Sequence, residues 1–178
     1  MIPPRTVAVL LCLAGLLATG CGTERTAAQS KPKSGGAAAA AAASPSGGAT
    51  AVSTDLSKKP VIPRAQGPAP TTLVKRDIVV GTGAPAKAGQ TLSVQYVGVS
   101  RSTGKQFDAS WDRGQPFSFP LGAGQVIPGW DQGLAGMKVG GRRELVIPSA
   151  LAYGPQGSPP TIAPNEALIF VIDLKSAA

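Results

Sequence analysis

The chain has 178 residues, with 17 Lys and Arg against nine Asp and Glu, a formal charge of +8, no histidine and two cysteines. Without histidine, serine–histidine and cysteine–histidine nucleophile pairs and every histidine metal site are excluded, because the proton acceptor or ligand is missing. The charge is spread thinly, +4 over residues 22–66 and +3 over 67–178, with no basic stripe interleaved with aromatics, which speaks against nucleic acid; solvated charge with no specific partner is the default reading, and attraction to anionic lipid or wall polymers is the alternative.

Arg5, the apolar run "VAVLLCLAGLL" from Val7 to Leu17 and the small residues before Cys21 predict a secretory signal over residues 1–20, too short to span a bilayer comfortably. "LATGC" resembles the lipobox of bacterial lipoproteins, although Ala18 stands where the usual motif carries a larger aliphatic. The resemblance implies a diacylglyceryl group on Cys21, which becomes the first mature residue, and a place on the extracytoplasmic face of a bacterial cell membrane. Cys12 belongs to the signal, so no disulfide is expected within the mature chain. Residues 21–66, with "KPKSGGAAAAAAASPSGG" at their centre, have almost no large apolar residue before Val61 and are expected to form a disordered tether.

From residue 67 onward, strand patterning takes over. "TTLVKRDIVV" ends at the Gly81-Thr82-Gly83 turn, and "QTLSVQYVGVS" places Leu92, Val94 and Tyr96 on one face. "RRELVIP" sets Leu145 with Ile147, and "ALIFVIDL" alternates Leu168, Phe170, Ile172 and Leu174, with Ile169 and Val171 making this last strand apolar on both sides and therefore central. Period two over short runs between Gly and Pro predicts an antiparallel sheet. A single segment reads as a helix: Pro128 suits its first turn, Trp130, Leu134 and Met137 form its apolar stripe, and Gly140-Gly141 ends it. A curved sheet half-wrapped around one short helix, an α+β fold, is the economical architecture.

Aromatic and branched residues from distant stretches are candidate pocket walls: Tyr96, Phe107, Phe117, Phe119, Val126, Ile127, Tyr153, Ile162 and Phe170, with Trp130 as the floor. Taken singly, each reads as core. Their setting in "VQYVG", "TGKQFDAS", "PFSFPLGAGQVIPGWDQGLAGMKVGGRRELVIP", "AYG" and "NEALIFVIDL", in this order over residues 71–175, resembles the FKBP-type peptidyl-prolyl cis–trans isomerases. The resemblance implies a proline pocket between sheet and helix. It implies catalytic roles for Tyr96, Phe107, Asp108 and Tyr153, and substrate-binding roles for Arg113, Phe117, Val126, Ile127, Trp130, Ile162 and Phe170. Arg113 would hold Asp108, while the Ile127 N–H and the Tyr153 hydroxyl would bind peptide carbonyls. Asp108 is open to two roles, tuning the field at the substrate carbonyl or bracing Arg113 and Tyr96. The chain departs from the family in "GSPPTIAPN", where Ala163 replaces the first proline of the usual "IPP" and Pro159 and Pro160 are additional, and in Trp111.

Rotation about an X-Pro bond needs no proton transfer and no covalent intermediate, so no cofactor and no metal is expected. The expected partners are proline-containing polypeptides and macrolides of the rapamycin class, with the membrane reached through Cys21, no nucleic acid, and a monomeric domain over residues 67–178. The function expected is isomerisation of X-Pro bonds in exported proteins. The rival is a proline-binding chaperone or adaptor that uses the same pocket without turnover; a bare structural barrel would neither bind nor turn over.

Overall fold

The computed structural model describes residues 51–178. The signal segment, Cys21 and the tether up to residue 50 lie outside the described residues. Six strands form one antiparallel sheet: β1 (Val74–Val79), β2 (Thr91–Ser100), β3 (Gln106–Ala109), β4 (Phe117–Pro120), β5 (Arg142–Ile147) and β6 (Leu168–Ala177). The spatial order is β1-β5-β6-β2-β3, with β4 also on β2. β6 is therefore central, as its two-sided apolar pattern predicts, and it is buried from Leu168 through Leu174.

The edge of β2 opposite β6 is shared. β4 takes its first half, with Leu92 opposite Phe119 and Val94 opposite Phe117, and β3 takes its second, with Val97 opposite Ala109. Between them the chain leaves the sheet in the single helical turn α1 (Ser110–Arg113). The ladder is missing at this gap, and the Ser110 hydroxyl fills it. It accepts from the Tyr96 N–H at 2.8 Å and donates to the Gln95 side-chain carbonyl, so both of these buried donors are satisfied.

The helix α2 (Pro128–Leu134) lies on the inner face of the sheet. It is shorter than the sequence pattern suggests. Ala135 already has extended backbone, and Met137, although buried with the apolar stripe, reaches the core from a loop rather than from a helical turn. Proximity to β5 explains two of its glycines. A Cβ at Gly133 would lie 2.6 Å from Leu145 Cδ1, and one at Gly129 would collide with Ile147, so only bare backbone lets the helix come this close. Leu92, Val94, Tyr96, Leu145, Ile147, Phe170, Ile172 and Leu174 meet it in one core.

A second apolar cluster covers the outer face, and it corrects the expected tether boundary. Val97, Val99, Ile169 and Val171 are covered there by Val52, Ile62 and Trp111, so residues 51–66 pack on the sheet instead of forming the end of a tether. The reason is electrostatic as well as apolar. Arg142 and Asp173, 0% and 2% exposed, form a two-pronged ion pair on β5 and β6 with N···O distances of 2.5 and 2.7 Å. Two of the three remaining guanidinium N–H groups are taken by the carbonyls of Ser53 at 2.6 Å and Lys58 at 3.0 Å. A polar-looking segment is thus held by backbone carbonyls that a buried cation needs. Hydropathy does not register them.

Candidate functional site

Above α2, between the sheet and the loop that leads into the helix, lies a cup of about 400 Å³. Its floor is Trp130, 4% exposed. The ring is held by edge-on neighbours, Tyr96 at 5.1 Å between centroids and Phe170 at 5.2 Å, with interplanar angles of 83° and 87°. Phe107 in turn meets Phe170 edge-on at 5.5 Å, and Phe117 meets Trp130 at 6.3 Å. Such edge-to-face packing fixes ring orientation as well as filling space. The rings converge because Tyr96 and Phe170 project from β2 and β6 onto the same face and Phe107 and Phe117 come from the two strands that share the edge of β2.

The close approach of Phe107 and Phe170 depends on Gly98. A Cβ there would stand 2.7 Å from Phe170 Cε1 and 2.8 Å from Phe107 Cζ. This glycine is the last residue of "VQYVG", and its role becomes visible only when the two rings are seen above it.

The rim facing the helix is built by Val126 and Ile127. Pro128 at the first helical position holds the preceding residue extended, and Ile127 has φ −58° and ψ 144°. Its carbonyl accepts from the Trp130 N–H at 2.9 Å, whereas its own N–H has no acceptor among the described residues. The loop is pinned to the helix by Asp131, whose carboxylate accepts from the N–H groups of Gly122 at 2.8 Å and Gly124 at 3.2 Å. Gln125 also lines the cup; nothing in "GQVIPGW" singles it out, because the candidate walls there are the branched Val126 and Ile127 and the ring of Trp130. Tyr153 stands opposite, 42% exposed.

Asp108 closes the polar side. One of its oxygens accepts from the Tyr96 hydroxyl and the other from Arg113 Nη1 at 2.5 Å, while Arg113 Nη2 donates to the Tyr96 hydroxyl at 2.8 Å. The three form a closed triangle, with the Arg113 guanidinium also lying 5.6 Å from the centre of the Tyr96 ring. Burial raises the Tyr96 phenol above its ordinary value, the Asp108 hydrogen bond adds to this and Arg113 works against it, so Tyr96 stays protonated. The bond to Tyr96, followed by that to Asp108, raises Arg113 further.

Of the residues expected at the site, Tyr96, Phe107, Asp108, Phe117, Val126, Ile127, Trp130, Tyr153 and Phe170 all line this cup. Two do not. Arg113 stands behind Asp108 and Tyr96 and reaches the cup only through them. Ile162, expected as the upper wall, is 4% exposed, belongs to the inner core and borders a neighbouring cavity. The loop that carries it folds back on itself, with the Ser158 N–H donating to the Ile162 carbonyl at 2.9 Å and the Ile162 N–H to the Ser158 carbonyl at 2.9 Å. Phe119 packs behind Phe117 and Trp130 as core. Trp111 turns to the opposite face of the sheet, where it packs against the outer cluster.

Comparison with known proteins agrees with this geometry. The family model described as FKBP-type peptidyl-prolyl cis-trans isomerase matches residues 83–175. A protein of Streptomyces anulatus named FK506-binding protein is 60% identical over 118 residues, covering 66% of this chain and 95% of the relative. A protein of Corynebacterium glutamicum named Probable FK506-binding protein is 52% identical over 120 residues, covering 67% and 99%. The crystal structure of AtFKBP13 superposes with a TM-score of 0.57 at 41% identity, covering 62% of this chain and 96% of that one. With a curved antiparallel sheet over a short helix, an aromatic cup between them and this extent of similarity, the chain belongs to the FKBP-type peptidyl-prolyl cis–trans isomerases.

Proposed function

We propose that the protein is a lipid-anchored isomerase on the extracytoplasmic face of a bacterial membrane, where it turns X-Pro bonds in exported polypeptides, with the aromatic cup as its site. The observation that carries the site assignment is an apolar cup of about 400 Å³ walled by rings, with a backbone donor at Ile127 that has no acceptor among the described residues and a phenol at Tyr153 on its rim. The proline ring sits on Trp130 between Phe107, Phe117 and Phe170. The flanking carbonyls are held by the Ile127 N–H and the Tyr153 hydroxyl.

An X-Pro bond rotates over a barrier of about 18–20 kcal/mol and exchanges in tens to hundreds of seconds, because rotation sacrifices amide resonance. The planar amide is the more charge-separated form, so stripping water from its carbonyl weakens it relative to the twisted state. A cup that fits the twisted ring better than either planar isomer adds to this. About 7 kcal/mol in total corresponds to about 10⁵-fold in rate. Asp108 serves chiefly as a brace: both of its oxygens are engaged by Tyr96 and Arg113, which fixes the wall on which Phe107 also stands.

The anchoring part of the proposal rests on "LATGC" and the preceding apolar run. Two acyl chains on Cys21 would hold the protein at the membrane where one would hold it marginally. The same cup is proposed to take macrolides of the rapamycin and FK506 class. A protease-coupled isomerisation assay on the mature chain tests the enzyme: a proline tetrapeptide should exchange faster in proportion to enzyme and stop on addition of macrolide. Binding without acceleration would make it an adaptor. Mass spectrometry of the mature N-terminus should find a diacylglyceryl cysteine at position 21, and an unmodified terminus would remove the anchor.

A further inference from the structure

Beside the cup, on the far side of Phe107, lies a second cavity of about 500 Å³ that the isomerase mechanism does not use. One wall is the β2–β3 hairpin with Lys105 and Ser102. The other is the loop that departs from the family pattern, with Pro159, Pro160 and Pro164. Phe107 lines both spaces, so a chain leaving the cup over this ring enters the second cavity directly. We infer that this cavity is a subsite for the stretch of substrate polypeptide flanking the isomerised proline, and that it selects an acidic side chain opposite Lys105. The inference rests on the aromatic cup being the isomerase site.

Charge decides the chemistry of the occupant. Lys105 has no carboxylate within 4.0 Å among the described residues. Two further cations flank the same hairpin, and neither is neutralised by a carboxylate: Arg64 donates to the Ser102 carbonyl at 3.1 Å, and Arg101 to the carbonyls of Gln66, Gly67 and Pro68 at 2.7–3.1 Å. The single anion of the cavity, Glu166, is already engaged. Its carboxylate accepts from the Ser100 hydroxyl at 2.7 Å and from the N–H and hydroxyl of Ser102, both at 2.9 Å. Three cations around one carboxylate leave a positive local field, and Lys105 is the member whose ammonium has no partner among the described residues. The proline wall supplies apolar surface, and the Lys105 ammonium supplies the selective contact.

Peptides extended on either side of the proline, with Glu, Gln or Lys at successive flanking positions, test this on the mature chain. At one or more positions kcat/KM for the Glu peptide should exceed that for the Gln peptide by about 2–5-fold, as expected of a partly exposed ion pair, with the Lys peptide lowest. The Glu advantage should shrink in 0.5 M salt. It should vanish in Lys105→Gln and invert in Lys105→Glu. Equal kcat/KM for all three side chains, a preference for Lys, or a Glu advantage that survives Lys105→Gln would overturn the subsite while leaving the isomerase reading intact. Failure of every peptide to exchange faster would remove both.

Discussion

Gly98 offers the sharpest test of how the cup is built. It sits on β2 opposite Phe170, and an added methyl would stand 2.7 Å from Phe170 Cε1 and 2.8 Å from Phe107 Cζ. Carbon atoms rest at about 3.5–4.0 Å, so in Gly98→Ala both rings must give way by about 1 Å together. Phe170 is wedged against Trp130 and Tyr96, whereas Phe107 is only partly buried and is the ring that yields. Overpacking of this kind costs about 1–3 kcal/mol, offset by the roughly 0.5–1 kcal/mol by which alanine outperforms glycine in a strand. The net loss of stability should be about 1–2 kcal/mol, measured by urea unfolding. A wall displaced by 1 Å costs up to about 10²-fold in turnover. The coupled assay should therefore show kcat/KM falling by about 10–100-fold at a temperature where the variant is fully folded. Wild-type kcat/KM in a folded Gly98→Ala would refute the claim that these two rings form the working wall.

Three further outcomes follow from the same geometry. Phe107→Ala, at a half-buried rim position, should cut turnover far more than stability, whereas Trp130→Ala should lower both, with a stability loss of about 3–5 kcal/mol; unfolding of Phe107→Ala with full activity in the folded fraction would reverse the assignment. Asp173→Asn leaves the fully buried Arg142 without its counter-charge and should cost about 3–5 kcal/mol in chemical denaturation, a loss well below 1 kcal/mol arguing against the buried pair. Burial works against the charged form of Glu166, but its Ser100 and Ser102 donors outweigh that and hold it below the ordinary glutamate value. Its folded pKa is depressed, so its stabilising contribution is present at neutral pH and is lost as pH falls through the acidic range. The stability gap between wild type and Glu166→Gln should accordingly narrow on acidification, and a gap that widens would contradict the linkage.

Much of this was legible in the chain because it rests on short-range rules. Period-two alternation placed Leu92, Val94 and Tyr96 with Phe170, Ile172 and Leu174 on one face, and the two-sided pattern of β6 made it central. The resemblance carried by the order of motifs from "VQYVG" to "NEALIFVIDL" implied nine of the cup's lining residues. Other features depend on distance in three dimensions. β3 and β4 are four residues each, too short for periodicity to register, and they become strands only because β2 offers them an edge. The early end of α2 was not legible either, because nothing in an apolar stripe says whether Met137 reaches the core from a helix or from a turn.

The sequence by itself determined the sheet and the side of each strand that is buried, since alternation and turn chemistry are local properties of the chain; the set of rings available to a proline was implied by the resemblance of its ordered motifs to the family. Only the tertiary structure decided that Ile162 belongs to the core beside a second cavity, that Arg113 stands outside the cup and also donates to the Tyr96 hydroxyl, and that residues 51–66 close the outer face. Each of these depends on which backbone carbonyl or ring lies opposite a given side chain across tens of residues of intervening chain. Hydropathy assigns such partners no weight.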